Sequence, residues 1–236
     1  MTFPAVAVVL LLSAGDKVPA VLPPITAREA LQPMNVLVGS WKGTGYPESG
    51  TKEERAAGLW TETVAWAWQF KGDDAWLAAT FVKGKHFAAG ELRYSVEKAA
   101  YQFVAVAADK TKRTFTGTLK DKVLTLERAD TAAGEDQRLV FTLLHHNRHL
   151  YRFDTRAAGS ALGFVKKFQV GATKEGVPFA EVVKGPECIV TGGVGTMKVS
   201  YNGKDYYVCC SGCRDEFKAD PEKYIKEALL KANEKK

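Results

Sequence analysis

Between residues 37 and 170 hydrophobic and polar positions alternate with a period of two, and turn residues break the alternation at short intervals. That period belongs to β-strands, whose successive side chains leave opposite faces of a sheet. The segment WTETVAWAWQF, for example, puts Trp60, Val64, Trp66, Trp68 and Phe70 on one face, with Thr61, Thr63 and Gln69 on the other. AWLAATFV, ELRYSVEKAAYQFVAVAA, TFTGTLKDKVLTLERA, RLVFTLLHH, HLYRFDTRA and FVKKFQV continue the pattern. KGDD, VKGKH, EKAA, DKTKR, LKDK, TAAGEDQ, HHNR and RAAGSALG supply the turns between them. About eight to ten strands with short connections and no helical period predict an antiparallel meander. Closing a meander on itself removes its exposed edges, so the fold expected over residues 25–175 is mainly β, an up-and-down barrel.

The stretch LVGSWKGTGYPESG at the head of this region resembles the Gly-x-Trp opening of lipocalin-like barrels, carried here by Gly39, Trp41, Gly43 and Gly45. The resemblance implies that Trp41 plugs one end of the barrel, while the glycines let a strand bend sharply. The five tryptophans and twelve phenylalanines of the chain either fill such a barrel as core or line a pocket for a small hydrophobic ligand. A related family of barrels carries haem through an inward-facing histidine. Here His145, His146 and His149 fall at a hairpin tip and His86 follows a turn, where side chains are expected to meet water.

The pattern changes near residue 180, and the segment 180–236 holds all four cysteines. MKVSYNGKDYYV reads as two short strands, Met197–Tyr201 and Lys204–Val208, around an Asn-Gly turn at Asn202 and Gly203. A helix is expected to start near Cys213. Asp220 as N-cap and Pro221 in the first turn predict a second helix over residues 221–232. Twenty residues separate Cys188 from Cys209, three separate Cys209 from Cys213, and two separate Cys210 from Cys213. A hairpin that brings one thiol on its approach and others where a helix begins can build a thiolate metal site. Backbone N–H groups at the helix start favour the thiolate form, and Arg214 and Lys204 are expected to act in the same direction.

This Cys-x20-Cys-x3-Cys spacing, with YNGKDYYVCCSGCRDEFKADPEKY, resembles the TRASH/YHS family of small metal-binding modules over about residues 183–226. Gly203, Tyr206, Tyr207, Cys209, Cys213, Phe217 and the DPEKY ending at Tyr224 carry the likeness. It implies a treble-clef-like α+β module around one heavy-metal ion, copper(I) or zinc, with Cys188, Cys209 and Cys213 as its ligands. Many relatives have a further cysteine three positions after the first, where this chain has Thr191, so two complete cysteine knuckles cannot be assembled. Cys210 is an extra thiol. Either Cys209 ligates and Cys210 packs inward, or Cys210 and Cys213 form the pair. Three thiolates suit copper(I), whereas a structural zinc site takes four donors. Two disulfides are the competing use of four cysteines in an exported chain.

Export is expected from the N-terminus. Residues 4–14 form an apolar run too short to span a bilayer, and small residues follow at Ser13, Ala14, Gly15 and Ala20. That outline is a signal peptide over residues 1–20, although no Lys or Arg precedes the run. The mature chain is therefore expected in the periplasm or outside the cell, with no integral membrane segment. A net charge of +6 is spread along the chain, unlike the concentrated basic face of a nucleic-acid binder. No serine nucleophile motif, His-Glu metalloprotease pattern or phosphate-cradling loop is present. The sequence thus points to a non-catalytic metal-binding protein that sequesters, delivers or senses its ion. The alternative is a carrier of a small hydrophobic or haem-like ligand, capped by the cysteine module.

Overall fold

A computed structural model of the protein describes residues 26–177 and 185–234. The export segment expected over residues 1–20 lies outside them. Ten antiparallel strands form a closed barrel. They are β1 (Gly39–Pro47), β2 (Trp60–Lys71), β3 (Asp74–Val82), β4 (Phe87–Ser95), β5 (Ala100–Ala107), β6 (Lys112–Lys120), β7 (Val123–Asp130), β8 (Glu135–His145), β9 (Arg148–Ala157) and β10 (Val165–Lys174). Each strand pairs with its neighbours in sequence, and β1 closes on β10 from Trp41↔Lys174 to Pro47↔Phe168. Among the described residues no helix is long and apolar enough to cross a membrane.

The alternation in β2 fixes which side chains point inward. Val64, Trp66 and Trp68 are buried, and Trp60 and Phe70 close the row half-buried. Glu62 belongs to the same inward row. It is 3% exposed and accepts hydrogen bonds from Tyr151 Oη (2.5 Å) and Trp60 Nε1 (2.9 Å). The aromatic residues serve as core: Trp66 packs at 6.1 Å from Phe103 and from Phe141, which lie 5.5 Å from each other. Trp41 is fully buried and its indole N–H donates to the Leu37 carbonyl at 2.6 Å, closing one end. Gly43 and Gly45 clear space for inward side chains, and a Cβ on Gly45 would lie 2.1 Å from the Trp60 ring.

The β8–β9 turn leaves His145 and His146 exposed, as expected of a hairpin tip, but His149 is only 1% exposed. Strand β9 already starts at Arg148, so 149 and 151 are inward positions. The His149 ring stands edge-on to Trp41 at 4.4 Å, and neither of its nitrogens has a hydrogen-bond partner among the described residues. His86 is half-buried, stacked on Phe168 at 3.9 Å.

Two short helices were not expected from the alternation. α1 (Ala27–Leu31) and α2 (Lys52–Ala57) both begin with a capping box, Thr26 with Glu29 and Thr51 with Glu54. The C-terminal module contains β11 (Met197–Tyr201), β12 (Lys204–Val208), α3 (Ser211–Ala219) and α4 (Pro221–Glu234). Asn202 and Gly203 take the positive φ angles that the tight turn needs. Asp220 caps α4 by accepting from the Lys223 N–H at 3.1 Å. The module stands against the barrel at a particular edge. Pairing of β2 with β1 ends at Gly39↔Trp66, so β2 overhangs, and α3 packs on the overhang. Gly212 permits this approach, since a Cβ there would lie 1.8 Å from the Trp68 carbonyl oxygen. α1 fills the adjoining space, with Arg28 paired to Glu227 at 2.6 Å and Tyr101 Oη donating to the Ala30 carbonyl at 2.7 Å.

Candidate metal centre

Three chain segments converge at the centre. Residues 188–193 form a tight loop in which the Cys188 N–H donates to the Gly193 carbonyl (2.7 Å) and the Gly192 N–H donates to the Cys188 carbonyl (2.8 Å). Gly192 adopts φ +75°, a conformation that favours glycine. The Ile189 N–H donates to the Tyr207 carbonyl at 2.9 Å, tying the loop to β12 just before Cys209. Cys213 lies in the first turn of α3. The Sγ atoms of Cys188, Cys209 and Cys213 all come within 4.8 Å of one another, with Cys209 and Cys213 at 3.5 Å. Cys188 and Cys213 are buried, while Cys209 is half-buried and borders a cleft of about 670 Å³. All four cysteines are free thiols.

Thr191 stands among the three sulphurs. Its hydroxyl donates to Cys188 Sγ at 3.4 Å and lies 3.5 Å from Cys209 Sγ and 3.8 Å from Cys213 Sγ. Hydrogen bonds from Cys209 and Cys213, then from Thr191, hold the Cys188 thiol far below its usual pKa. The Cys209 thiol is pushed up, first by its bond to Cys188, and Cys213 is pushed up first by burial. One proton therefore leaves the cluster readily, and the next must leave beside a negative charge in a buried place. A full set of thiolates here calls for a cation. The donor set fits a soft one: three sulphurs, bordered by the Thr191 hydroxyl and the Cys210 thiol.

Residues 194–228 match the YHS domain. Cys209 and Cys213 lie inside that range and Cys188 precedes it. No curated protein sequence is significantly similar to the chain. Among solved structures, Rv2717c from M. tuberculosis is 17% identical with a TM-score of 0.38, covering 62% of this chain and 97% of that one. The redesigned β barrel mFAP1 bound to DFHBI is 15% identical with a TM-score of 0.26, covering 62% and 99%. The strand pairing itself, with β1 closed on β10, defines the barrel.

Within the YHS segment the adjacent thiols differ in what else they reach. Cys210 is buried at the N-cap of α3, and it takes hydrogen bonds from the backbones of Cys213 and Trp68. Its thiol also bonds to the side chains of Cys209 and Cys213, so it borders the cluster from the barrel side, whereas Cys188 bonds to Cys209 and Cys213. The charges expected to favour thiolates are placed elsewhere. Arg214 pairs with Asp215 at 2.8 Å, and Lys204 is exposed in the hairpin. The nearby cation is Lys174 of β10, which shares the cleft with Cys209; burial lowers its pKa, and Cys209 opposes that shift. Sequence reasoning also missed Asn35. Its Nδ2 donates to the Thr191 carbonyl and its Oδ1 accepts from Trp68 Nε1, both at 2.9 Å. One amide thus joins the 188–193 loop, which precedes the matched segment, to the barrel core. Nothing in the local sequence marks Asn35, because its partners are 156 and 33 residues away.

Proposed function

We propose that this protein binds one soft metal ion, copper(I) or zinc, through Cys188, Cys209 and Cys213, and that it sequesters, delivers or senses that ion after export. The observation that carries the reading is the convergence of three sulphurs, supplied by a loop, a strand end and a helix start, within 4.8 Å. The match of residues 194–228 to the YHS domain supports it. A bound ion would neutralise the sulphurs and cross-link three chain segments, the role of a staple in a small module. Cys188 is pre-set to give up its proton, and Thr191 orients toward it. Cys209 presents the one partly open sulphur to the cleft beside Lys174, Glu187 and Thr196, which gives an ion and a donor molecule a way in. Export rests on the apolar run at residues 4–14. A non-catalytic role is supported by three nearby carboxylates being engaged, Asp205 with Lys198, Asp215 with Arg214 and Glu216 with Tyr224, while Glu175 and Glu187 border the cleft.

The test is metal analysis of protein purified without oxygen, wild type beside C188S, C209S and C213S. One equivalent of copper or zinc in the wild type and a loss in each variant is expected. Equal metal in all four proteins would remove the assignment. The carrier reading has one observation in its favour, the inward His149 with no hydrogen-bond partner among the described residues. Against it, Trp41, Trp68, Phe103 and Phe115 fill the interior at full burial. A Soret band or an extractable organic ligand in the purified protein would bring it forward.

A further inference from the structure

We propose that Thr191 sets the metal preference of the cysteine centre, by placing a hydroxyl at the position that touches all three sulphurs. The inference rests on the reading of Cys188, Cys209 and Cys213 as ligands. Thr191 is fully buried, and its Oγ1 lies 3.4, 3.5 and 3.8 Å from the three Sγ atoms. The Cys210 thiol touches Cys209 and Cys213, and among the described residues only the Thr191 side chain has hydrogen bonds that reach all three sulphurs. The backbone holds it there. Asn35 Nδ2 grips the Thr191 carbonyl at 2.9 Å, the Thr191 backbone bonds to the Cys188 thiol, and the chain then turns at Gly192 with φ +75°. The loop is therefore built as a two-ligand knuckle around positions 188 and 191, with only the first supplying sulphur.

The chemistry follows from what a hydroxyl can do. It has one proton to donate and two lone pairs. The hydroxyl donates to Cys188, and its oxygen lies 3.5 and 3.8 Å from the other two sulphurs. Three thiolates satisfy copper(I), which favours soft donors and low coordination number. Zinc takes four donors and would gain only a neutral oxygen as its fourth, a weaker partner than a thiolate. Withholding sulphur from position 191 thus favours the soft monovalent ion. Threonine and cysteine are close in size, so a thiol at position 191 fits the same space without overpacking.

The experiment compares wild type, T191C, T191S and T191V, purified without oxygen and titrated with copper(I) and zinc against competing chelators. Cobalt(II) absorption provides an independent readout of sulphur count. T191C should bind zinc at least roughly tenfold more tightly while copper(I) affinity changes less, and its cobalt complex should gain thiolate charge-transfer intensity. T191S should behave as wild type. T191V should keep copper(I) and lose zinc preferentially. Unchanged zinc affinity and cobalt spectrum in T191C, or equal shifts for both metals, would overturn the inference while wild type still binds copper(I). Should T191C fail to fold, equal losses of both metals in T191V beside an unaltered T191S would overturn it as well. Binding of neither metal by wild type would remove the ligand assignment, and this inference with it.

Discussion

His149 shows how a single side chain ties stability to acidity. Its ring is enclosed beside Trp41 with no polar partner among the described residues, so protonation would place a bare cation in an aromatic core. Burial, helped by the charge of Lys174, lowers its pKa from 6.5 to about 3. In the unfolded chain the same imidazole takes up a proton near pH 6.5, and in the folded chain it stays neutral until about pH 3. Unfolding therefore binds a proton throughout that window, and stability falls as pH drops from 6.5 toward 3, by up to roughly 1.4 kcal/mol per pH unit. His86, lowered to about 4 mainly by burial, acts in the same direction. H149L should remove one of these contributions. Melting temperatures of wild type and H149L between pH 7 and pH 4 are expected to diverge as the solution becomes acidic, with the wild type falling faster. Parallel curves would show that the buried imidazole is not the group responsible.

At the scale of elements, docking of the module depends on an absent side chain. Gly212 brings the first turn of α3 onto the overhang of β2, where a Cβ would meet the Trp68 carbonyl oxygen at 1.8 Å and its carbon at 2.8 Å. Both obstacles are backbone, so neither can rotate away. G212A should cost about 1–3 kcal/mol, the usual range for overpacking, and should weaken metal retention because Cys213 is in the same turn. G163A, in open space with ordinary φ, is the matched control and should stay within about 0.5 kcal/mol. Thermal melts with metal analysis of both variants decide the point, and a G212A protein as stable as G163A would contradict it. The same elements show what a sequence reader can see. The strands and the β11–β12 hairpin were legible because alternation and an Asn-Gly pair are local signals. Glu62 and His149 occupy inward slots of that same alternation, in WTETVAW and HLYRF, but their polarity hid them. Helices α1 and α2 carried Thr-x-x-Glu boxes that the strand pattern overshadowed. That Cys209 reaches Cys188 while Cys210 also bonds to the Trp68 backbone had no local signal, because it depends on where β2 outruns β1.

Across the whole molecule, barrel and module share one hydrophobic cluster, in which Leu31, Met34 and Trp68 are joined with Cys188, Cys213, Phe217 and Tyr224. A metal ion that binds only the folded centre should then stabilise the barrel too, by about 2.7 kcal/mol when free ion is at a hundred times its dissociation constant. Asn35 is the polar part of this connection, and removing its side chain leaves the Trp68 indole N–H and the Thr191 carbonyl without their partners. Each unsatisfied buried group costs about 1–3 kcal/mol. N35A is therefore expected to loosen the cysteine loop from the barrel more than it perturbs either part. In wild type, copper(I) should raise the melting temperature read from the tryptophan near-ultraviolet signal and from protease resistance of the tail together. A copper(I) chelator should lower both. In N35A the tail should still respond to the metal while the tryptophan transition responds much less. An equal shift of the tryptophan transition in N35A would show that coupling runs through the apolar contacts alone. No shift in metal-loaded wild type would show that the centre folds independently of the barrel it stands on.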